Sequence, residues 1–189
     1  NRNGAANNMK LMIASDIHGS AFYCRQLLDA FEKEKPDKLI LLGDILYHGP
    51  RNDLPEQYSP KEVIKLLSPL KDRLICVKGN CDTEVDQMVL DFPILSPYCV
   101  LFLGGRTVYA SHGHIFNKST PPPLCKNDIL INGHTHVPEC CETEDGFIYM
   151  NAGSVSIPKE NSEHQYMIFE NDTFLWKELS GRVLRTFTL

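Results

Sequence analysis

From Lys10 onward the chain alternates short, wholly apolar runs with stretches of helical period. Leu11-Met12-Ile13-Ala14, Leu39-Ile40-Leu41-Leu42 and Leu74-Ile75-Cys76-Val77 are three such runs, each ending in a polar or glycine-containing segment. Runs without polar alternation suit strands that are covered on both faces. Between the first two, Ser20 to Lys35 reads as a helix. Phe22, Leu27, Leu28 and Phe31 share one face, Ser20 is a cap, and Pro36 lies beyond the end. A second helix is expected over Ser59 to Leu67, with Ser59 as cap, Pro60 in the first turn and Glu62 beside it. Strand–helix–strand–helix–strand order predicts a parallel sheet with right-handed crossovers.

The second half changes character. Tyr98–Leu103 and Thr107–Ser111 flank Gly104-Gly105, a two-residue hairpin signal. Further strands are expected at Ile129–Ile131, Phe147–Met150, Gln165–Phe169, Phe174–Glu178 and Val183–Phe187, with Asn171-Asp172 as a turn. No composition break marks a linker, and no segment repeats. The expected fold class is α/β: a sandwich of two mixed sheets flanked by helices, forming a single domain over residues 9–189. Residues 1–8 are small, polar and Asn-rich, and are set aside as an expression remnant or disordered extension.

Composition narrows the classes. With 42% hydrophobic residues, the 189-residue chain is too apolar for disorder, and its length suits one domain. The longest purely apolar run, Tyr98 to Leu103, is far short of the about 20 residues of a membrane-spanning helix. A net charge of -5 argues against a nucleic-acid polymer as partner. It leaves room for a small phosphorylated ligand, because a bound cation can supply positive charge. The seven cysteines are odd in number and form no CxxC pair, so they read as free thiols in a reducing cytoplasm.

Polar residues of a restricted type follow the apolar strands: Asp16 and His18, Asp44, Asn80, His112 with His114, then His134 and His136. The carboxyl ends of strands in open α/β sheets form the ligand crevice, so these side chains are expected to converge. Separations of 28, 36 and 32 residues between Asp16, Asp44, Asn80 and His112 each fit a strand and its return. Singly, a strand-end Asp is a turn former or cap, and a single His is a hydrogen-bonded structural residue. Together, two aspartates, an asparagine and four histidines offer mixed oxygen and nitrogen donors suited to Mn²⁺, Fe²⁺ or Zn²⁺.

Asp16-x-His18-Gly19, Gly43-Asp44, Gly79-Asn80, His112-Gly113-His114 and Gly133-His134-Thr135-His136 resemble the motif set of the calcineurin-like metallophosphoesterases. Ser15 to Ser20, His48-Gly49-Pro50-Arg51-Asn52, Gly79-Asn80-Cys81-Asp82 and Asn151 to Ser156 are similar to the small bacterial YfcE phosphodiesterase group. The resemblance runs from about Met9 to Pro158 and implies an αββα layering around two divalent ions, with Mn²⁺ favoured over Zn²⁺ or Fe²⁺. It places Asp16, His18, Asp44 and His136 on one ion and Asp44, Asn80, His112 and His134 on the other, with Asp44 bridging. Asp44, Asn80 and His112 are then the catalytic side chains, and a hydroxide shared by the ions attacks a small organic phosphodiester. Alternatives are a phosphomonoesterase or nucleotidase on the same site, or a non-catalytic scaffold of the retromer-subunit type. A homo-oligomer accords with the same resemblance.

Cys81 stands where many members of that family carry a histidine. A thiol is a poorer acid than imidazole near neutral pH, so leaving groups needing little protonation are expected, or help from elsewhere. His48 is the candidate helper, against a reading as a surface-loop histidine. Arg51 is read either as a grip on a substrate oxygen or as a solvated loop residue. His114 would orient a ligand through its other ring nitrogen. His164 is expected in an exposed turn, Cys81, Cys140 and Cys141 outside any thiol metal site, and Thr120–Pro123 in a stiff loop near the site.

Overall fold

The computed structural model describes residues 9–189; the expectation for residues 1–8 lies outside the described residues. In order the elements are β1 (Leu11–Ala14), α1 (Ala21–Glu34), β2 (Lys38–Leu41), α2 (Pro60–Leu67), a 3₁₀ turn (Ser68–Arg73), β3 (Leu74–Cys76) and α3 (Glu84–Val89). Eight strands follow: β4 (Tyr98–Leu103), β5 (Arg106–Ser111), β6 (Ile129–Asn132), β7 (Glu139–Glu142), β8 (Ile148–Asn151), β9 (Gln165–Glu170), β10 (Thr173–Glu178) and β11 (Val183–Thr188). They form two mixed sheets, ordered β11-β10-β9-β1-β2-β3 and β4-β5-β6-β8-β7. Strands β1, β2 and β3 are parallel, as are β5, β6 and β8. Among the described residues no helix is long and apolar enough to cross a membrane.

The two-residue strand period sorts the apolar runs onto two faces. Met12, Ala14, Leu39 and Leu41 pack under the α1 residues Leu27 and Phe31 and the α2 residues Val63 and Leu67. Leu11, Ile13, Ile40 and Leu42 face the other way, against Val108, Ala110, Ile129, Ile131 and Met150 of the second sheet. Each central strand is therefore buried on both sides, which is why its run carries no polar alternation. A smaller cluster of Leu130, Phe147 and Tyr149, packed by Leu124, lies on the second sheet's other face.

Local chemistry sets the element ends. Ser20 Oγ accepts the Tyr23 N–H at 3.2 Å, and Lys35 closes α1 in a left-handed conformation with φ 51°. The helix therefore begins one residue after, and ends one before, the bounds expected from pattern. Gly104 and Gly105, both at positive φ, make the tight β4–β5 turn. Two elements escaped the pattern. Helix α3 is fixed by a capping box between Thr83 and Asp86, yet Val85, Met88 and Val89 are 69%, 83% and 52% exposed. With no buried face it has no periodicity to read. Strand β7, Glu-Cys-Cys-Glu, is an edge strand paired only with β8. His164 departs from the expected exposed turn: its ring is half-buried, stacks on Tyr23 at 3.8 Å and bonds the Val155 carbonyl. An aromatic partner from α1 covers it.

Trp176 Nε1 donates to the Asn151 carbonyl at 2.8 Å, tying β10 of one sheet to the end of β8 in the other. Replacing Trp176 with Phe is expected to cost about 1–3 kcal/mol, read as a lower urea midpoint. An unchanged midpoint would show that the bond contributes nothing.

Candidate metal centre

The polar residues after β1, β2, β3, β5 and β6 meet at the end where both sheets' parallel strands terminate. Local backbone there is unusual. Asp16, His18, Asp44, His134 and His136 all have positive φ, between 49° and 66°. Each such residue costs of order 1–3 kcal/mol, a strain that persists only where the surroundings enforce it. Glycine would relieve it but has no donor atom. Two glycines allow the loops to close. A Cβ at Gly79 would lie 2.1 Å from Asp44 Oδ1, and one at Gly133 would lie 1.9 Å from Ser15 Oγ.

Backbone carbonyls fix the imidazoles. His18 Nδ1 lies 2.7 Å from the Tyr47 carbonyl, His112 Nδ1 2.7 Å from that of Leu42, and His136 Nδ1 2.6 Å from that of Ile157. A carbonyl only accepts, so each Nδ1 carries the proton and each Nε2 is left to face inward. There they meet other acceptors. Asp16 Oδ1 is 3.3 Å from His18 Nε2 and 3.2 Å from His136 Nε2, and those two nitrogens are 3.2 Å apart. His112 Nε2 is 3.0 Å from Asn80 Oδ1, 3.1 Å from His134 Nδ1 and 3.3 Å from Asp44 Oδ2. Asp44 Oδ2 is also 3.7 Å from His18 Nε2, so one carboxylate oxygen borders both groups.

The remaining oxygens are held by the protein. Asp16 Oδ2 accepts from Ser15 Oγ at 2.6 Å and the His134 N–H at 2.9 Å, and Asp44 Oδ1 accepts the Cys81 N–H at 2.8 Å. Asp16 Oδ1 is fully buried and has no hydrogen-bond donor. Lone pairs converging at about 3 Å match the edge of a coordination shell around an ion bonded at about 2.1 Å. Asp16, His18 and His136 form one set able to hold a cation, and Asp44, His112 and His134 a second. The residues present therefore fit a pair of divalent ions.

The electrostatics agree. Burial pushes the Asp16 carboxyl up, yet His112, His136 and His18 outweigh it and hold Asp16 well below the usual carboxylate range. Burial opposes charge on His112, but Asp16 and Asp44 raise its pKa to about 9. The metal-free pocket thus draws protons where cations would otherwise sit. Burial, with His112 nearby, lowers His134 instead. Burial and the Asp44 charge push the Cys81 thiol up to about 12, so it stays protonated and inert.

All seven expected donors come together. His114 is exposed, its ring 5.4 Å from that of His112 and outside both donor sets. Arg51 and Cys81 line a cavity of about 500 Å³ that opens onto the donors; His48 does not. His48 instead packs edge-on between Tyr47 and Tyr58. Cys140 and Cys141 lie on β7, and Pro121–Pro123 are absent from the cavity wall. Cys81, expected outside any thiol metal site, does lie within reach of His18 and Asp44.

Sequence reasoning missed the residues that hold the loops. Asp82 is buried, and its carboxylate accepts the N–H groups of Asp44 at 2.8 Å, Ile45 at 3.0 Å and Gly79 at 2.7 Å. It joins the loop after β2 to the loop after β3. Ser154 and Ser156 Oγ both donate to the Asp16 carbonyl, at 3.0 and 2.9 Å. Thr135 and Lys159 also line the cavity. The Gly79-Asn80-Cys81-Asp82 motif contained Asp82, but a carboxylate that bonds only backbone has no partner residue to signal it.

The family model for the calcineurin-like phosphoesterase superfamily domain matches residues 9–173. Phosphodiesterase YfcE of Escherichia coli strain K12 is 44% identical over 164 residues, covering 87% of this chain and 89% of the relative. The solved structure of YfcE, a phosphoesterase from E. coli, superposes with a TM-score of 0.90 at 41% identity, covering 95% of this chain and 99% of that one. Vacuolar protein sorting 29 from Cryptosporidium parvum shares the fold alone, at 14% identity and TM-score 0.61, covering 96% of this chain and 99% of that one.

Two outcomes are expected. Asp82→Asn leaves at least one backbone N–H facing an amide donor and should cost about 1–3 kcal/mol in chelated protein, checked by chemical denaturation. For His112, stabilisation by the imidazolium is complete below the unfolded value of about 6.5 and is lost as pH rises through about 9. Metal-free stability should therefore decline across that window, and divalent-ion binding at pH 7 should release about one proton or more. Calorimetry in buffers of different ionisation enthalpy reads the release; none at pH 7 would contradict the assignment.

Proposed function

This chain belongs to the calcineurin-like phosphoesterase superfamily, and on that premise we propose that it is a binuclear metal-dependent phosphodiesterase acting on small organic phosphodiesters. The observation that carries the reading is Asp44 Oδ2, which borders both donor groups and is the natural bridge between two ions. The 44% identity to phosphodiesterase YfcE supports the diester class. Asp16, His18, Asp44 and His136 would hold one ion, and Asp44, Asn80, His112 and His134 the other. Two divalent ions held there supply a water activated as nucleophile and positive charge for the phosphate oxygens. Mn²⁺ is the ion we assign, from the likeness to the YfcE group; the mixed nitrogen and oxygen donors themselves suit Mn²⁺, Fe²⁺ and Zn²⁺ alike.

The chain's own residues then orient and exclude. The three Nδ1–carbonyl bonds hold His18, His112 and His136 in the tautomer that leaves Nε2 free. Asn80 turns its amide oxygen toward His112 while its Nδ2 donates to Cys81 Sγ at 3.4 Å. Cys81, with its thiol pushed up to about 12 by burial and the Asp44 charge, is a poorer acid than an imidazole near neutral pH. His48 is off the cavity wall, its ring packed edge-on between Tyr47 and Tyr58. Phenolate-like or otherwise stable leaving groups are thus the best substrates. The intact donor set favours an enzyme over a scaffold, in which loss of donors is expected.

Chelation should abolish hydrolysis of bis(p-nitrophenyl) phosphate, and Mn²⁺ should restore the most activity among Mn²⁺, Zn²⁺, Fe²⁺ and Mg²⁺ added singly. Asp44→Asn should lower kcat by about a thousandfold or more while leaving far-ultraviolet circular dichroism unchanged. Full turnover in chelated protein, or wild-type turnover in Asp44→Asn, would defeat the mechanism.

A further inference from the structure

The donor groups form only part of the cavity lining, and about 500 Å³ is several times what one phosphate group occupies. Two side chains that hold no part of the metal-centred chemistry share that lining, Arg51 and Lys159. Both are exposed cations, and neither has an acidic partner within ion-pair distance among the described residues. Elsewhere in this acidic chain, cations near the surface are often paired, as Lys118 is with Glu139 and Arg182 with Glu178 and Glu163. Among the described residues the sole carboxylate on the cavity wall is Asp44, which belongs to the donor groups. Among the described residues no Phe, Tyr or Trp lines the cavity, and the planar groups there are the imidazoles of the donor set and the Arg51 guanidinium.

Both cations are indexed to the donors by hydrogen bonds. The Lys159 N–H donates to the carbonyl of His136 at 3.1 Å, and Ser162 closes the Lys159 turn through its Oγ at 2.6 Å and its N–H at 3.0 Å. Arg51 rides on a turn closed by Asn52, whose N–H donates to Gly49 at 3.3 Å and whose Nδ2 donates to the His48 carbonyl at 2.8 Å. That loop starts at Tyr47, whose carbonyl fixes His18. The backbone positions from which the Arg51 and Lys159 side chains enter the cavity lining are thus set relative to the donor groups.

Resting on the phosphodiesterase reading, we infer that the substrate carries a second phosphate on its non-leaving arm, bound by Arg51 and Lys159 beyond the scissile phosphorus. A guanidinium grips phosphate oxygens in a fork and an ammonium adds a point charge, a pairing suited to a terminal phosphate. The organic part of the arm is read weakly, because no Phe, Tyr or Trp among the described residues lines the cavity. Specificity at this end of the cavity is for charge.

Two p-nitrophenyl phosphodiesters differing only in the other arm, propyl or 3-phosphopropyl, test this on the Mn²⁺-loaded enzyme. In the wild type, kcat/KM for the phosphopropyl ester should exceed that for the propyl ester by about tenfold or more. In the Arg51→Ala/Lys159→Ala double variant the ratio should fall to near one, and Arg51→Lys with Lys159→Arg should retain part of it. Equal values in the wild type, or an unchanged ratio in the double variant, overturn the inference while propyl-ester hydrolysis upholds the diesterase reading. Calorimetric binding of the two matching phosphonates, in which carbon replaces the scissile ester oxygen, decides the matter independently of turnover. Tighter binding of the charged analogue in the wild type alone supports the inference, and equal binding overturns it.

Discussion

Three hydrogen bonds from imidazole Nδ1 to backbone carbonyls govern the centre of this protein. They leave the Nε2 atoms of His18 and His136 facing each other and Asp16, and that of His112 facing Asp44, the Asn80 amide oxygen and His134. Such a cluster of acceptors is unstable unless positive charge enters it. Protons serve in the metal-free protein, as the rise of His112 to about 9 indicates. Divalent ions serve better, because one ion satisfies several lone pairs at once, whereas a proton satisfies two. The need for cations is thus built into the tautomers, and the tautomers are set by strand ends that the fold places independently.

Holding acceptors together without ions demands compensation elsewhere, and the loops supply it. Five of the seven donor residues accept left-handed backbone. Asp82 offsets part of that strain by binding three backbone N–H groups across two loops, though burial raises its own pKa. Ser154 and Ser156 do the same for Asp16 from the end of β8. The site is rigid because two sheets contribute to it. Neither sheet alone carries a full set of donors, and the packing of Ile13 and Ile40 against Ile129 and Ile131 sets the distance between the halves.

The parts legible in the sequence share one property: they leave a contrast between neighbours. Central strands stood out as runs because both faces are buried, and the donors stood out because each follows such a run directly. Helix α3 and strand β7 offered no contrast, one having no buried face and the other lying at an edge with glutamates at its ends. Asp82 was invisible for a different reason, since its partners are backbone groups common to every residue. Lys159 lies 23 residues past His136 along the chain, and only folding brings its turn back to the His136 carbonyl. His164 looked solvated because its acidic neighbours concealed the ring of Tyr23 that covers it.

Charge distribution resolves an apparent contradiction. A chain with net charge -5 should repel a phosphodiester, and long nucleic acids more strongly. Within the cavity, however, Asp16 and Asp44 are neutralised by whatever cations the imidazoles and carboxylates share, and the remaining wall carries Arg51 and Lys159 without an opposing carboxylate. With two divalent ions bound as proposed, the field met by a small ligand inside would be opposite in sign to that of the whole surface. A polymer that must lie across the surface meets the acidic exterior, whereas a compact ligand that enters meets only the interior. On the proposed reading, size and charge are selected by the same arrangement.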